Sequence, residues 1–386
     1  MLEIYAGEKA LKTIQEEGFK QELFTNFLGA SGGPKWFMLF GLDKYLFGDF
    51  FKGRDTELNL VGSSSGAFRA ACLTQKNPVK AIEILAHQYA NTVYSKKAKP
   101  QEVTNKTITL VDQLFAENGV DEVINNKIFK AHFLVAKCNG FTTSDNKLFQ
   151  IAGLLNSMLL NKCNRGLLNK QYQRYVFKNK YSNLAINDPY NINTVYQNLT
   201  AANIKSTVLA SGSIPLVMSG VKDIAGAEKG IYRDGGVIDY HFDFSLEQKN
   251  KEALAKKLHR EEHFSDLHRP DSKRSSNNPN LAKHNLTLYP HFTSQPKAGW
   301  FDKSSSRKVL LSNYDNTVLL APSQKFIQSL PYHKIPDRTD FIDMEPSVRI
   351  KYWEKVLVET TQLAECFHEF IEKQNVDEIK IFNPLP

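Results

Sequence analysis

Apolar residues recur along the first half of the chain in short blocks separated by turns of small and polar residues. Blocks that run directly into a turn predict strands at 23–28, 58–61 and 132–138. Helical spacing of apolar residues predicts a short helix at 8–17 and covering helices between 80 and 126. The stretch 148–198 is rich in Asn, Lys, Tyr and Leu, and we interpret it as an excursion covering one face, with no assigned role.

The pattern of the last third of the chain is less regular. Helical spacing at 246–264 predicts a basic helix, and the polar, proline-broken stretch 265–285 predicts a mobile insertion. Apolar blocks at 286–289 and 318–320 predict two strands. Pro346 begins a final predicted helix, whose apolar stripe we expect in the core and which comprises Ile350, Trp353, Leu357, Thr360, Ala364 and Phe367.

The segment 58–69 predicts a strand, a sharp turn and a helix. Gly62 and Gly66 lie two residues on either side of Ser64, where a tight turn brings neighbouring backbone close. A serine hydroxyl is a poor nucleophile, and a strained strand-to-helix turn holds it within reach of a base and of backbone N–H donors. Ser64 is therefore a candidate nucleophile, while the motif alone leaves a plain Ser/Gly loop open.

A second glycine-rich turn, at 29–36, follows the first predicted strand of this region. It contains Gly32 and Gly33, and Pro34 stands where a helix begins. The apolar residues 36–47 predict that this helix is well buried. Backbone N–H groups at the positive end of a helix suit a phosphate or a developing oxyanion. A dinucleotide loop is disfavoured because G-x-G-x-x-G is absent.

The third informative stretch begins at 206–215 and ends at Asp234-Gly235-Gly236. An aspartate followed by two glycines, at the end of a short strand, can present its carboxylate into a cleft. Asp234 is therefore a candidate base. Tripeptides of this kind are mostly β-turns, so the motif by itself does not decide between the two interpretations.

In this order, the three stretches resemble the motifs of the patatin-like phospholipase family. The resemblance implies that Ser64 is the nucleophile and Asp234 the aspartate of a Ser–Asp dyad that needs no histidine. It implies an oxyanion hole formed at Gly32, Gly33, Lys35 and Ser65. It also identifies Gly62 and Gly66 as the glycines of the sharp turn around Ser64, called the elbow, and Gly235 and Gly236 as the glycines that follow the dyad aspartate.

The resemblance further implies a three-layer α/β/α fold with a mostly parallel central sheet. We expect one domain over 1–386, with a motif-bearing core at about 20–245 and the segment 286–386 packed on it. The implied activity is hydrolysis of ester-linked fatty acyl chains in phospholipids or related lipids, without a cofactor.

Two other functions are compatible with these residues. A carboxylesterase or lipase of the triad type could use His241 or a later histidine such as His291 as its base. A non-catalytic module that binds a lipid or a partner is the second alternative. It is favoured by the altered glycine loop, in which Ala30 and Ser31 precede only two glycines and Trp36 stands where the family commonly has glycine.

Composition and charge indicate where such a protein would be located and what its surface could contact. The chain has 386 residues, of which 41% are hydrophobic and 23% charged, as in a soluble globular protein. It has neither a basic segment followed by an apolar one at its start nor an apolar run long enough to span a bilayer, so we expect a cytoplasmic protein. The net charge of +8 permits peripheral contact with an anionic membrane surface, and no nucleic acid is expected.

The cysteines and histidines show no metal-ligand spacing, so we expect no metal site. The cysteines lie mostly in apolar segments without C-x-x-C spacing, which predicts buried free thiols at Cys72, Cys138, Cys163 and Cys366.

Overall fold

The computed structural model describes residues 1–248 and 285–384. Thirteen strands lie within these residues. They are β1 (Leu2–Ala6), β2 (Phe24–Gly29), β3 (Leu58–Ser63), β4 (Phe129–Cys138), β5 (Tyr172–Lys178), β6 (Leu184–Asn187), β7 (Thr194–Asn198), β8 (Val221–Lys222), β9 (Ile231–Asp234), β10 (Ser245–Gln248), β11 (Leu286–Pro290), β12 (Thr317–Pro322) and β13 (Lys380–Ile381).

Most of these strands form one sheet, with the order β13-β1-β12-β11-β2-β3-β4-β5-β7 across the described residues. Strands β12, β11, β2, β3 and β4 are parallel to one another, while β5 and β9 run antiparallel to β4. All residues of β2 and β3 are buried, as expected for parallel strands that are covered on both faces. The sheet, flanked by helices, confirms the predicted α/β fold with a mostly parallel central sheet.

The helices pack along this sheet and on one another; α3 contacts β2, β3 and β4, and α4 contacts α3. The α-helices of the described residues are α1 (Glu8–Glu17), α2 (Phe40–Tyr45), α3 (Ser65–Leu73), α4 (Pro78–Ala90), α5 (Pro100–Leu114), α6 (Gly119–Asn125), α7 (Lys147–Cys163), α8 (Ile204–Ser211), α9 (Leu311–Tyr314), α10 (Gln324–Ser329), α11 (Asp340–Asp343), α12 (Pro346–Glu359) and α13 (Thr361–Lys373).

The predicted excursion at 148–198 does more than cover a face. After α7 the chain enters the main sheet as β5, which pairs with β4, and returns to it as β7, which pairs with β5. Five of the seven residues of β5 are buried, as expected for a strand that is paired on both sides, with β4 and with β7. The interpretation of the whole stretch as a cover was therefore wrong for its second half.

Two predictions for the last third of the chain also change. The helix predicted from 246 begins instead as strand β10, which pairs with β6, while residues 249–284 of that helix and of the predicted insertion lie outside the described residues. The single final helix is two helices, α12 and α13, which meet at Thr360. There the Thr360 hydroxyl accepts a hydrogen bond from the Gly41 N–H (3.1 Å), because the helix ends pack directly on the backbone of α2.

The predicted apolar stripe lies mostly in the core: Trp353, Leu357, Thr360, Ala364 and Phe367 are buried, while Ile350 is half-buried.

The cysteine thiols differ in exposure. Cys72 and Cys138 are buried, whereas Cys163 is exposed and Cys366 is half-buried, so the expectation of buried thiols was wrong for Cys163 and Cys366. A helix long and apolar enough to cross a membrane is not found among the described residues.

A buried ion pair fixes α3, and with it the turn at Ser64, to the helix before it. The Arg69 guanidinium donates to both carboxylate oxygens of Asp43 on α2, at 2.7 and 2.6 Å, and both side chains are fully buried. The bidentate geometry satisfies two charges that would otherwise be costly to bury.

We therefore expect Asp43→Ala to lower the free energy of unfolding by about 3–5 kcal/mol, because the Arg69 charge stays buried without its partner. Urea unfolding measures this loss. The control is Asp112→Ala, which removes the exposed pair with Lys205 and should cost less than about 1 kcal/mol. Equal losses in the two variants would contradict the structural role given to the buried pair.

Candidate active site

The carboxyl ends of β3 and β9 meet on one edge of β4. Strand β3 runs parallel to β4 until Ser63 lies opposite Leu134, and β9 runs antiparallel to β4 until Asp234 lies opposite Val135, the next residue. The two strands therefore approach each other head to head. This brings residues that are 170 positions apart in the chain, Ser64 and Asp234, into contact.

Ser64 stands on the predicted strand-to-helix turn, between β3 and α3. Its φ of 54° and ψ of −125° lie in a region that residues other than glycine rarely adopt. The Ser64 N–H donates to Ser211 Oγ (3.0 Å), and Ser211 Oγ donates to the Leu134 carbonyl (2.7 Å). These hydrogen bonds from a neighbouring helix and strand hold the turn in its strained conformation.

Glycine is required on both sides of this serine. A Cβ atom on Gly62 would lie 2.2 Å from the Gly66 carbonyl oxygen, and one on Gly66 would lie 1.7 Å from the Gly29 carbonyl oxygen. Both distances are far inside van der Waals contact, so the elbow can close only without side chains. The first turn of α3 consequently packs directly on the end of β2.

Asp234 accepts hydrogen bonds on both carboxylate oxygens. Ser64 Oγ donates to Oδ2 at 2.7 Å, and the Gly236 N–H donates to Oδ1 at 2.7 Å. Gly235 allows the following turn to press against β4, where a Cβ would lie 2.2 Å from the Leu134 carbonyl oxygen. Burial raises the pKa of Asp234 from 3.8 to about 6, although the hydrogen bonds from Ser64 and Gly236 oppose the rise.

A cavity of about 120 Å³ opens above the Ser64–Asp234 pair. That volume is several times what one water molecule needs, yet well below the roughly 300–1,000 Å³ of pockets that enclose drug-sized ligands. Its lining consists of Gly32, Gly33, Lys35, Ser64, Ile214, Pro215, Asp234, Gly236, Val237, Tyr240, Trp300, Lys303, Asp337 and Arg338.

Three of the four residues of the predicted oxyanion hole line this cavity. Gly32 and Gly33 border it between β2 and the short 3-10 helix Gly33–Leu39, and Gly33 has a φ of 55°. Lys35 borders it too, with its ammonium 3.1 Å from an Asp337 carboxylate oxygen. Ser65 is not part of the lining; it is the first residue of α3, whose N–H has no intrahelical acceptor.

The lining of the cavity also contains residues that the sequence motifs do not identify. Lys303 and Arg338 add two cations beside Lys35, and the Lys303 ammonium lies 4.0 Å from the centre of the Tyr240 ring. Lys303 is exposed as a whole, but its ammonium is partly removed from water, and this desolvation lowers the Lys303 pKa to about 8. The positive charges of Arg338 and Lys35 lower it further. Spacing along the chain offers no signal for these residues, because they reach the cavity only through the packing of 298–305 and 331–340.

The two candidate histidines lie behind Tyr240, which lines the cavity and stacks on His241. His241 and His291 are buried with ring centres 4.3 Å apart, and His241 Nδ1 accepts from the Lys297 N–H (2.9 Å). Burial lowers the pKa of both, that of His291 to about 3. Neither lines the cavity, and the hydrogen bond of Ser64 Oγ goes to Asp234. This arrangement does not provide a base between serine and aspartate, as a triad requires.

In residues 1–248 and 285–384, no group of three or more His, Cys, Asp or Glu side chains is placed to hold a metal ion.

Comparison with known proteins gives only distant structural similarity. No protein-family model matches the chain, and no curated protein matches it. Among solved structures, human GIVD cytosolic phospholipase A2 aligns at 10% sequence identity with a TM-score of 0.36, covering 96% of this chain. The chain spans 63% of the length of that protein. Likeness of this degree bears on neither activity nor substrate.

We expect Asp234→Asn to stabilise the folded protein at neutral pH. Because the folded pKa of about 6 exceeds the ordinary 3.8, the native protein loses stability as the pH rises from about 4 to about 6, by at most about 3 kcal/mol. The amide carries no charge and escapes this loss. Urea unfolding should show little difference between the two proteins at pH 4 and a gain of about 1–3 kcal/mol for the variant at pH 7.5.

Asp112→Asn is the control at an exposed carboxylate, and its free energy of unfolding should differ little from that of the unaltered protein at both pH values. A gain for Asp234→Asn that is the same at pH 4 and pH 7.5 would contradict the raised pKa.

Proposed function

We propose that this protein is a serine acyl hydrolase that cleaves ester-linked fatty acyl chains of phospholipids or related lipids. The observation that carries the proposal is the 2.7 Å hydrogen bond from Ser64 Oγ to Asp234 Oδ2 at a strained elbow beneath a cavity. A buried serine on a plain loop would need neither the positive φ nor a buried carboxylate. A strained backbone next to a group with a shifted pKa, here Ser64 and Asp234, is typical of active sites.

In the proposed reaction, Ser64 Oγ attacks the ester carbonyl carbon while its proton passes to Asp234. The tetrahedral intermediate then collapses, and the alcohol leaves with the proton that Asp234 returns, which leaves the acyl group on Ser64. Water attacks the acyl-enzyme with Asp234 again accepting the proton, and the fatty acid leaves as Ser64 regains its hydroxyl proton. A base with a pKa near 6 suits this double role at neutral pH better than an ordinary carboxylate does.

The oxyanion of the tetrahedral intermediate is assigned to backbone N–H donors around the cavity. Gly32 and Gly33 border the cavity, and Ser65, which directly follows Ser64, supplies the first N–H of α3. Removing one donor of such a site typically costs about 10²–10³ in rate. Lys35 adds positive charge at the same wall, although its ion pair with Asp337 reduces the charge available to the substrate.

The lipid class of the substrate rests on the resemblance and on the charge of the cavity. Lys35, Lys303 and Arg338 lie around one opening with Asp337 as the nearby acidic partner, which favours a substrate that carries a negative group such as a phosphodiester. Incubation of the pure protein with a fluorophosphonate probe, and with a panel of phospholipids and short acyl esters, tests both parts of the proposal. Absence of labelling and of turnover on every ester would favour the non-catalytic alternative.

Ser64→Ala should abolish probe labelling and lower acyl hydrolysis at least about 10³-fold, because the attacking oxygen is gone. Ser63→Ala and Ser65→Ala are matched controls in the same tripeptide. Ser63 lies inside β3, and Ser65 Oγ donates to the Ala30 carbonyl at 3.3 Å, so both variants should keep most of the labelling. Mass spectrometry of labelled peptides locates the adduct; an adduct that survives in Ser64→Ala would sink the assignment.

Asp234→Asn should remove turnover in a folded protein, because the amide cannot accept the proton. His241→Ala and His291→Ala should each retain substantial activity once circular dichroism shows that they fold. In the unaltered protein, kcat/KM should fall about tenfold per pH unit below about pH 6, as Asp234 becomes protonated. Loss of activity in either folded histidine variant, to the level of Ser64→Ala, would decide for the triad.

A further inference from the structure

Helix α7 (Lys147–Cys163) has its amphipathic character inverted. Its buried positions are Gln150, Gly153, Ser157 and Asn161, which recur every three or four residues and are all polar or small. Its large apolar side chains face outward instead. Surface helices of globular proteins bury the apolar stripe, so an inverted helix needs an explanation outside the fold.

Hydrogen bonds fix the polar side of α7 against the protein. Gln150 accepts from the Leu216 N–H (2.5 Å), Ser157 pairs with the Tyr172 hydroxyl (3.0 Å), and Asn161 donates to Asp302 (2.8 Å). Rotating the helix to bury its leucines would leave these buried polar groups without partners, at a cost of about 1–3 kcal/mol for each group. The outward orientation is therefore part of the folded structure.

The exposed apolar side chains of α7, together with that of the neighbouring Phe141, form a surface that we call the α7 face. It consists of Phe141, Leu148, Phe149, Leu155, Met158 and Leu159, all exposed. Leu148 is 77% exposed and Leu159 59%. The Phe141 and Phe149 rings are nearly parallel, with their centres 5.8 Å apart. Single exposed leucines are ordinary, but a cluster of this size on one helix marks a surface that binds something.

Helix α7 packs, through its polar side, on two segments that contribute to the wall of the cavity at Ser64. Gln150 anchors Leu216, which follows the cavity residues Ile214 and Pro215. At the other end of the helix, Asn161 anchors Asp302, which lies between the cavity residues Trp300 and Lys303. The helix that carries the α7 face is therefore attached, through its polar side, to two segments of the cavity wall.

The charge around the α7 face favours one of two possible partners, a second copy of the chain or a lipid surface. The helix contains no aspartate or glutamate, and its two lysines, Lys147 and Lys162, are exposed at its ends. Lys303 and Arg338 continue the positive charge at the cavity. A second copy of the chain would bring like charges together, whereas a lipid surface with anionic headgroups pairs with the lysines and accepts the leucines and phenylalanines.

We propose that the α7 face docks this protein on anionic lipid surfaces and so holds the cavity, whose wall α7 supports, close to the membrane. The purpose of the docking rests on the proposed lipid substrate, but the docking itself does not require turnover. The size of the cavity agrees with docking on a lipid surface, since about 120 Å³ holds an ester group and not a whole lipid. Most of the substrate then stays in the lipid layer while its ester enters the site.

The test is cosedimentation with vesicles of phosphatidylcholine containing roughly 20% phosphatidylglycerol, using Ser64→Ala so that no lipid is consumed. Leu155→Asp/Leu159→Asp should weaken binding at least about 10-fold, because it puts charge where the acyl chains lie. The control is Ile108→Asp/Val358→Asp, which makes the same charge change at exposed apolar positions of α5 and α12 and should bind as the parent does. Salt should weaken the parent's binding as the lysines are screened.

A second measurement reports insertion directly. Leu159→Trp should shift its fluorescence to shorter wavelength when the anionic vesicles are added, and pure phosphatidylcholine should give a smaller shift. Turnover of a soluble short-chain ester should be the same in Leu155→Asp/Leu159→Asp as in the unaltered protein, so that loss of docking and loss of catalysis are distinguished.

Vesicle binding that the Leu155→Asp/Leu159→Asp change does not alter, or no binding at all, would overturn the proposal. So would a dimer in analytical ultracentrifugation that this double variant dissociates, because the α7 face would then be covered by a second copy.

Discussion

The site depends on two strands that end against each other on a third. Strand β4 is long enough to pair with β5 along one edge and with β3 and then β9 along the other. Because β3 and β9 run in opposite directions, their last residues converge at Leu134 and Val135 of β4, and the serine elbow meets the aspartate there. The sheet thus sets the distance between the two groups through backbone hydrogen bonds, which are more rigid than any loop contact.

This convergence has a cost in stability. A residue other than glycine with a positive φ costs about 1–3 kcal/mol, and a carboxylate whose pKa is raised to about 6 destabilises the fold at neutral pH. Surrounding interactions offset both, among them the Ser211 bridge to β4 and the buried Arg69–Asp43 pair that fixes α3. Strain and a buried charge that persist together in one place are expected where chemistry, rather than stability, determines the residues.

The inverted helix α7 connects the site to its surroundings by the same reasoning. Its polar side completes the hydrogen bonds of segments that form the cavity wall, and its apolar side is left to solvent. A hydrolase whose substrate sits in a lipid layer needs a surface that tolerates that layer next to its cavity. The proposed docking and the proposed chemistry therefore depend on one arrangement, although separate variants test them.

The sequence by itself determined the local elements: β2, β3, β4, the strand-turn-helix at Ser64 and the short strand that ends at Asp234, because each depends on neighbours within a few residues. It also identified Gly32, Gly33 and Lys35, three of the residues that line the cavity. Only the tertiary structure decided that β9 ends against β3, that Lys303 and Arg338 join the cavity, that α12 and α13 break at Thr360, and that α7 turns its leucines outward. Each of these rests on contacts between segments far apart in the chain. In α7, helical periodicity reports that one side is apolar but not which side meets the protein, because buried hydrogen-bond partners from other segments make that choice.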